Sequence, residues 1–150
     1  MTDNLREFLS AREKQKFAQD SGTGQHLKMQ RIIIGGNIEE GDADLVSRIK
    51  SNPALLPFFS PESRTEVPIA GLWQGKFISR RIDRLIVNEA QKTVLFLDYK
   101  TDINKDAFHD KYIYQIKEYA GLLRGIYPDY LVRGFILWLH DFELEKIDNS

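Results

Sequence analysis

Thr93-Val94-Leu95-Phe96-Leu97-Asp98-Tyr99-Lys100-Thr101 is the stretch that decides the reading of this chain. The continuous apolar run from Thr93 to Leu97 predicts a strand buried on both faces, inside a sheet covered by helices. The strand then runs directly into Asp98 and Lys100. Side chains alternate along a strand, so these two project to the same side. A carboxylate and an ammonium at the end of a core strand are costly unless they are paired or coordinated. The readings that stay open on this segment alone are a structural ion pair, simple emergence into solvent at the strand end, or a charged site built there.

Working outward, Lys76 to Val87 predicts a long strand carrying Phe77, Ile78, Ile82, Leu85 and Ile86, with a turn over Asn88 to Lys92. Thr65 to Ala70 is a shorter alternating strand before it. Within Arg81-Ile82-Asp83-Arg84-Leu85, alternation puts Ile82 and Arg84 on one face and Arg81, Asp83 and Leu85 on the other. Pairing through the turn brings Asp83 beside Asp98. Two carboxylates at short range repel, and a divalent cation relieves them. Oxygen ligands without sulfur favour Mg²⁺ or Mn²⁺ over zinc. A salt bridge from Asp83 to Arg81 or Arg84 is the competing reading. Lys76, Arg80, Arg81 and Arg84 form a local basic strip, suited to phosphates or simply a solvated strand face.

Downstream, a loop with Asp102, Asn104 and Asp106 leads into a long helix over about 107–126, closed by Tyr127-Pro128-Asp129. Tyr112, Ile116, Tyr119, Leu123 and Ile126 share one of its faces, and Gln115 falls inside that apolar arc. A glutamine there needs a hydrogen-bonding partner, either within the core or at a site near the strand ends. Leu131 to Leu139 predicts another buried strand, and Phe142 to Ile147 an edge strand. Upstream, the first 20 or so residues read as an exposed helix. Ser21-Gly22-Thr23-Gly24 breaks it, and Thr23 is an N-cap for a second helix carrying His26, Leu27, Met29 and Ile32 to Ile34, ended by Gly35-Gly36. Residues 42–51 form a third short helix before a loop with Pro53, Pro57 and Pro61. The order of helices, three strands, helix and one or two strands predicts one α/β domain with a mixed sheet flanked by helices, residues 1–20 preceding a core over 21–148.

The 150 residues, 42% hydrophobic and 29% charged, suit a globular domain and exclude global disorder. A net charge of -1 excludes nucleic-acid binding by bulk charge alone. The absence of cysteine excludes a disulfide scaffold, a thiolate zinc site, an iron–sulfur cluster and a cysteine nucleophile. No apolar run is long enough to span a membrane, and Met1 to Ser10 lacks a signal design, so a cytoplasmic location is expected. Gly71-Leu72-Trp73-Gln74-Gly75-Lys76 imitates a phosphate loop. Its glycine spacing is one residue short and Phe77 stands where Ser or Thr is required, so no ATP site is expected.

Gly22-Thr23-x-x-His26, Glu66-Val67-Pro68, Arg81-Ile82-Asp83-Arg84-Leu85, Leu97-Asp98-Tyr99-Lys100-Thr101 and Gln115-x-x-x-Tyr119, in that order, resemble the RecB-type branch of the PD-(D/E)XK nucleases. Within it the chain is most similar to the C-terminal nuclease domain of AddA-type double-strand-break repair helicase–nucleases, over about residues 20–140. The resemblance implies a restriction-endonuclease-like core and Mg²⁺-dependent DNA hydrolysis, with Mn²⁺ able to substitute, exonucleolytic before endonucleolytic. It implies that His26, Asp83, Asp98 and the Tyr99 carbonyl hold the metal. Lys100 would be the catalytic lysine, alongside Asp83, Asp98 and Gln115. Gln115 and Tyr119 would support the site and touch DNA, and Arg80, Arg81 and Arg84 would grip the backbone. DNA, and a helicase subunit or domain, are the implied partners. Arg80 replaces a glycine usual in the family. That change motivates the alternative of a catalytically silent nuclease fold that binds DNA or a helicase.

Overall fold

A computed structural model describes Met29, Ile32, Ile33 and residues 40–147. The expected N-terminal helix, the Thr23-capped helix start with His26, and the Gly35-Gly36 stop lie outside the described residues, as do residues 148–150. Helix α1 spans Ala43–Lys50 after a 3₁₀ turn, Glu40–Asp42, and a second 3₁₀ turn, Leu56–Phe59, follows in the proline loop. Five strands then form one sheet: β1 Arg64–Trp73, β2 Lys76–Asn88, β3 Thr93–Lys100, β4 Leu131–Trp138 and β5 Glu143–Ile147. Helix α2, Lys105–Ile126, connects β3 to β4. The expectation of a mixed sheet in an α/β domain holds.

The sheet order is β1-β2-β3-β4-β5, and β3 with β4 is the parallel pair while the other neighbours run antiparallel. A parallel pair needs a crossover, and α2 supplies it. Asn104 caps α2, its side chain accepting from the Ala107 N–H at 3.3 Å. The cap starts the helix at Lys105, slightly earlier than the sequence pattern suggested.

Each face of β3 has its own core. Val94 and Phe96 look toward α2 and pack with Ile116, Leu122, Leu123, Val132 and Ile136. Leu97 and Tyr99 look the other way, onto Val46, Ile49, Leu55, Phe58 and Phe59. Each such side chain, fully buried, contributes about 1.5–3 kcal/mol. Asp98 and Lys100 share the parity of Val94 and Phe96, so they face α2. Helix and sheet meet closely at Gly134 of β4, where an added Cβ would stand 2.5 Å from both Ile116 Cγ2 and Phe96 Cζ.

The imitation phosphate loop is a hairpin turn. Gln74 and Gly75 both take positive φ, 49° and 81°, the pattern of a two-residue turn matched to strand twist. This turn carries β1 on to Trp73, beyond the expected end at Ala70. Trp73 then lies against Gly121 of α2, where a Cβ would come within 2.2 Å of its ring.

One register feature corrects the sequence reading. Ile82 packs in the α2-side core with Leu85, rather than sharing a face with Arg84. The alternation slips around Asp83. Opposite it, Glu66 of β1 takes a left-handed backbone, φ 51°, and the β1–β2 ladder skips that position. The β2–β3 ladder ends one step away, at Arg84 against Leu97. The next position, where Asp83 would face Asp98, is where the two strands part.

Candidate active site

At that parting the backbone N–H of Tyr99 donates to Asp83 Oδ2 at 2.8 Å. Asp83 therefore closes the open end of the ladder from the side of β2. Asp98 stands next to it on β3, close enough for the two carboxyls to interact electrostatically. Burial first, and the Asp98 carboxylate second, push the Asp83 carboxyl well above the usual carboxylate range, against the Tyr99 N–H. Neither arginine neighbour neutralises it: Arg81 pairs with Glu66 at 3.6 Å and Arg84 lies on the other face.

Lys100 Nζ is 2.8 Å from Asp98 Oδ2 and donates to Gln115 Oε1 at 2.7 Å. The contact with Asp98 is an ion pair without hydrogen-bond geometry, and Asp98 Oδ2 is buried with no hydrogen-bond partner among the described residues. The ion-pair reading of Asp98 and Lys100 is thus correct as far as it goes. It leaves a buried anionic oxygen with unused coordinating capacity. Gln115 Nε2 donates to the Tyr119 hydroxyl at 2.8 Å. The amide in the apolar arc of α2 is satisfied by a chain running from the strand end into the helix. The Tyr119 hydroxyl is held far above its usual range by burial, then by the charges of Asp98 and Asp83.

Two supports were not anticipated. The Tyr112 ring lies under the Lys100 ammonium, 4.3 Å from its centroid, and its hydroxyl donates to Asp102. Glu118, nearly buried, takes the Arg80 guanidinium at 2.6 Å. Tyr112 lay on the expected buried face of the helix, so its place was legible though its role was not. Glu118 carried no signal, because helical periodicity does not reveal a cross-element ion pair.

The basic strip disperses. Arg81 stays 69% exposed, the pose expected of a phosphate contact. Arg80 is turned toward α2 and tied to Glu118. Arg84 is not available to DNA at all: it is 0% exposed and donates to the Tyr99 hydroxyl at 2.9 Å and to the Met29, Ile32 and Phe58 carbonyls. Its guanidinium also lies 4.4 Å over the Phe59 ring. The slip at Asp83 aims it into the far core. Tyr119, 5% exposed, likewise offers DNA little surface and instead holds Gln115.

The residues present fit a hard divalent cation. Asp83 and Asp98 crowd each other, and Asp98 Oδ2, ion-paired to Lys100, takes no hydrogen bond from the described residues. The Tyr99 peptide is fixed beside both by its bond to Asp83. Among the described residues no three His, Cys, Asp or Glu side chains form a ready cluster. His26, the remaining expected ligand, lies outside the described residues. Among the described residues no helix is long and apolar enough to cross a membrane.

No protein-family model matches the chain, and no curated protein matches it. Among solved structures it is similar to a crystal structure from Eubacterium rectale described as a "Putative exonuclease", at 14% identity and a TM-score of 0.47. The match covers 95% of this chain and 59% of that one, so the chain spans about three fifths of that structure's length.

Proposed function

We propose that this chain is a divalent-metal-dependent deoxyribonuclease domain with a restriction-endonuclease-like core of the RecB type. It would hydrolyse DNA phosphodiesters from strand ends as the nuclease module of a double-strand-break repair helicase–nuclease. One observation carries the chemistry: Asp83 and Asp98 converge where β2 and β3 part, leaving a buried carboxylate oxygen that takes no hydrogen bond from the described residues, 2.8 Å from the Lys100 ammonium. The order of the five sequence motifs carries the family reading.

Asp83, Asp98 and the Tyr99 carbonyl would hold Mg²⁺, with His26 as a further ligand. Bound there, the cation would lower the pKa of a water and neutralise charge growing on the phosphorus oxygens. The chain's own residues do the rest. Lys100 is fixed by Asp98, by Gln115 and by the Tyr112 ring, so its ammonium is preorganised to donate to the phosphate or to the attacking water. Tyr119 locks the Gln115 amide so that its oxygen, not its nitrogen, faces Lys100. Arg81, exposed beside the site, supplies a sequence-independent grip on the DNA backbone.

The test is linear DNA with purified protein in Mg²⁺ or Mn²⁺, against Asp98→Ala and Lys100→Ala. Loss of DNA from its ends by the parent, abolished in both variants, is expected. Equal degradation by all three rejects the assignment. Binding without cutting, in any metal, favours the silent DNA-binding fold.

A further inference from the structure

An aromatic stack leads from the core to the edge of the site and stops in solvent. Trp138 at the end of β4 is fully buried. The Tyr112 ring lies 5.9 Å from it, centroid to centroid, and the Phe108 ring stacks on Tyr112 at 6.1 Å with an interplanar angle of 28°. Phe108 is 40% exposed. Just before the α2 cap, Ile103 is 79% exposed. Ile103 and Phe108 occupy the positions of a hydrophobic staple, flanking the Asn104 cap, but a staple that served packing alone would bury its side chains. Both instead present apolar surface on the loop and first turns that follow the catalytic strand.

The position of that surface gives it a use. Tyr112 is the ring on which the Lys100 ammonium rests, at 4.3 Å, and Lys100 is 2.8 Å from Asp98 Oδ2. Phe108 is thus one ring removed from the reacting centre. At 100° per residue Phe108 lies 20° from Gln115 around α2, and exposed Lys111 lies 40° to the other side. Asp106 and Asp110 fall on the far side of the helix. The helix face beside the site therefore joins an exposed aromatic ring to an exposed positive charge, and its one acid, Glu118, is nearly buried and tied to Arg80. A nucleotide needs that combination: a flat apolar partner for the base and a cation for the phosphate.

We infer that Phe108, with Ile103 on the loop before it, is the stacking surface for the nucleobase adjoining the scissile phosphate. This rests on the nuclease reading above. A base can reach the ring only when it is not stacked within a duplex, so the site takes a nucleotide that is single-stranded or frayed at that position. Trp138 and Tyr112 hold the ring rigid from behind, and little ordering cost is left for binding.

The experiment measures binding by the full chain in EDTA, where no cutting is expected. The probe is a fluorescein-labelled single-stranded oligonucleotide, intact or with one abasic position stepped along it. On the unaltered protein, one abasic position should weaken binding about tenfold or more. Phe108→Ala should weaken binding of the intact strand by a similar factor and leave binding to that abasic strand unchanged. Phe108→Trp should restore binding and report it by quenching of its fluorescence. Equal losses on intact and abasic strands, or no loss with Phe108→Ala, overturn the inference. If the parent cuts DNA in Mg²⁺ while no abasic position matters, the stacking site falls and the nuclease reading stands. If the parent neither binds nor cuts, both fall.

Discussion

Replacing Arg84 with methionine separates the structural account from the simpler view that every arginine in the strip grips DNA. Arg84 is buried, and among the described residues it donates to the Tyr99 hydroxyl and the Met29, Ile32 and Phe58 carbonyls, at 2.9, 2.6, 2.7 and 3.3 Å. A hydrogen bond from a charged donor contributes about 1.5–3 kcal/mol, and a buried acceptor left without a partner costs about 1–3 kcal/mol. Methionine recovers apolar packing against Phe59, which offsets part of the loss. Dismantling a buried charged network costs about 3–5 kcal/mol, a large share of the ~5–15 kcal/mol that stabilises a domain. At a urea slope of ~2 kcal/mol/M, the midpoint should fall by about 2 M with the slope unchanged. DNA affinity per folded molecule should not change. An unaltered midpoint with lost DNA affinity would refute the burial argument and return Arg84 to the binding surface.

Arg81→Ala should do the reverse, leaving the urea midpoint in place while lowering the salt slope of DNA binding by about one ion. An unchanged slope would remove Arg81 from the phosphate contacts. Asp83→Asn should stabilise the metal-free protein at neutral pH. The Asp83 carboxyl is raised in the folded state, so its stabilising contribution is present at low pH and is lost as pH rises through the folded pKa. Urea midpoints in EDTA should therefore diverge upward from the ordinary carboxylate range and converge below it; parallel curves would contradict the crowding of Asp83. Gly134→Ala forces a Cβ against Ile116 and Phe96, so a loss of about 1–3 kcal/mol in urea denaturation is expected. No loss would mean that α2 does not seat on β4 there.

The parts of this structure that follow periodic rules were legible in the sequence. The run from Val94 to Leu97 marked a strand covered on both sides, and it is one. The side-by-side placement of Asp83 and Asp98 followed from pairing through the Asn88–Lys92 turn. Gln115 stood out because an amide in an apolar arc must be satisfied, and Lys100 satisfies it. What escaped depends on departures from periodicity. The left-handed backbone at Glu66 and the slip at Asp83 send Ile82 and Arg84 to opposite cores, and simple alternation gives the wrong partners. Arg80 and Glu118 meet across strand and helix, a tertiary pairing with no fixed sequence spacing. Tyr119 shares the expected face of α2, but helical periodicity does not reveal that its hydroxyl accepts from the Gln115 amide.

The proposed function requires the paired aspartates to cage a hard cation beside the lysine. Crystals soaked in Mn²⁺ and measured at an energy where manganese scatters anomalously test it most directly. A single strong peak bridging the Asp83 and Asp98 carboxylates, absent from Asp98→Asn crystals, is the expected result. A map with no peak at that position, or the same peak in the variant, would contradict it.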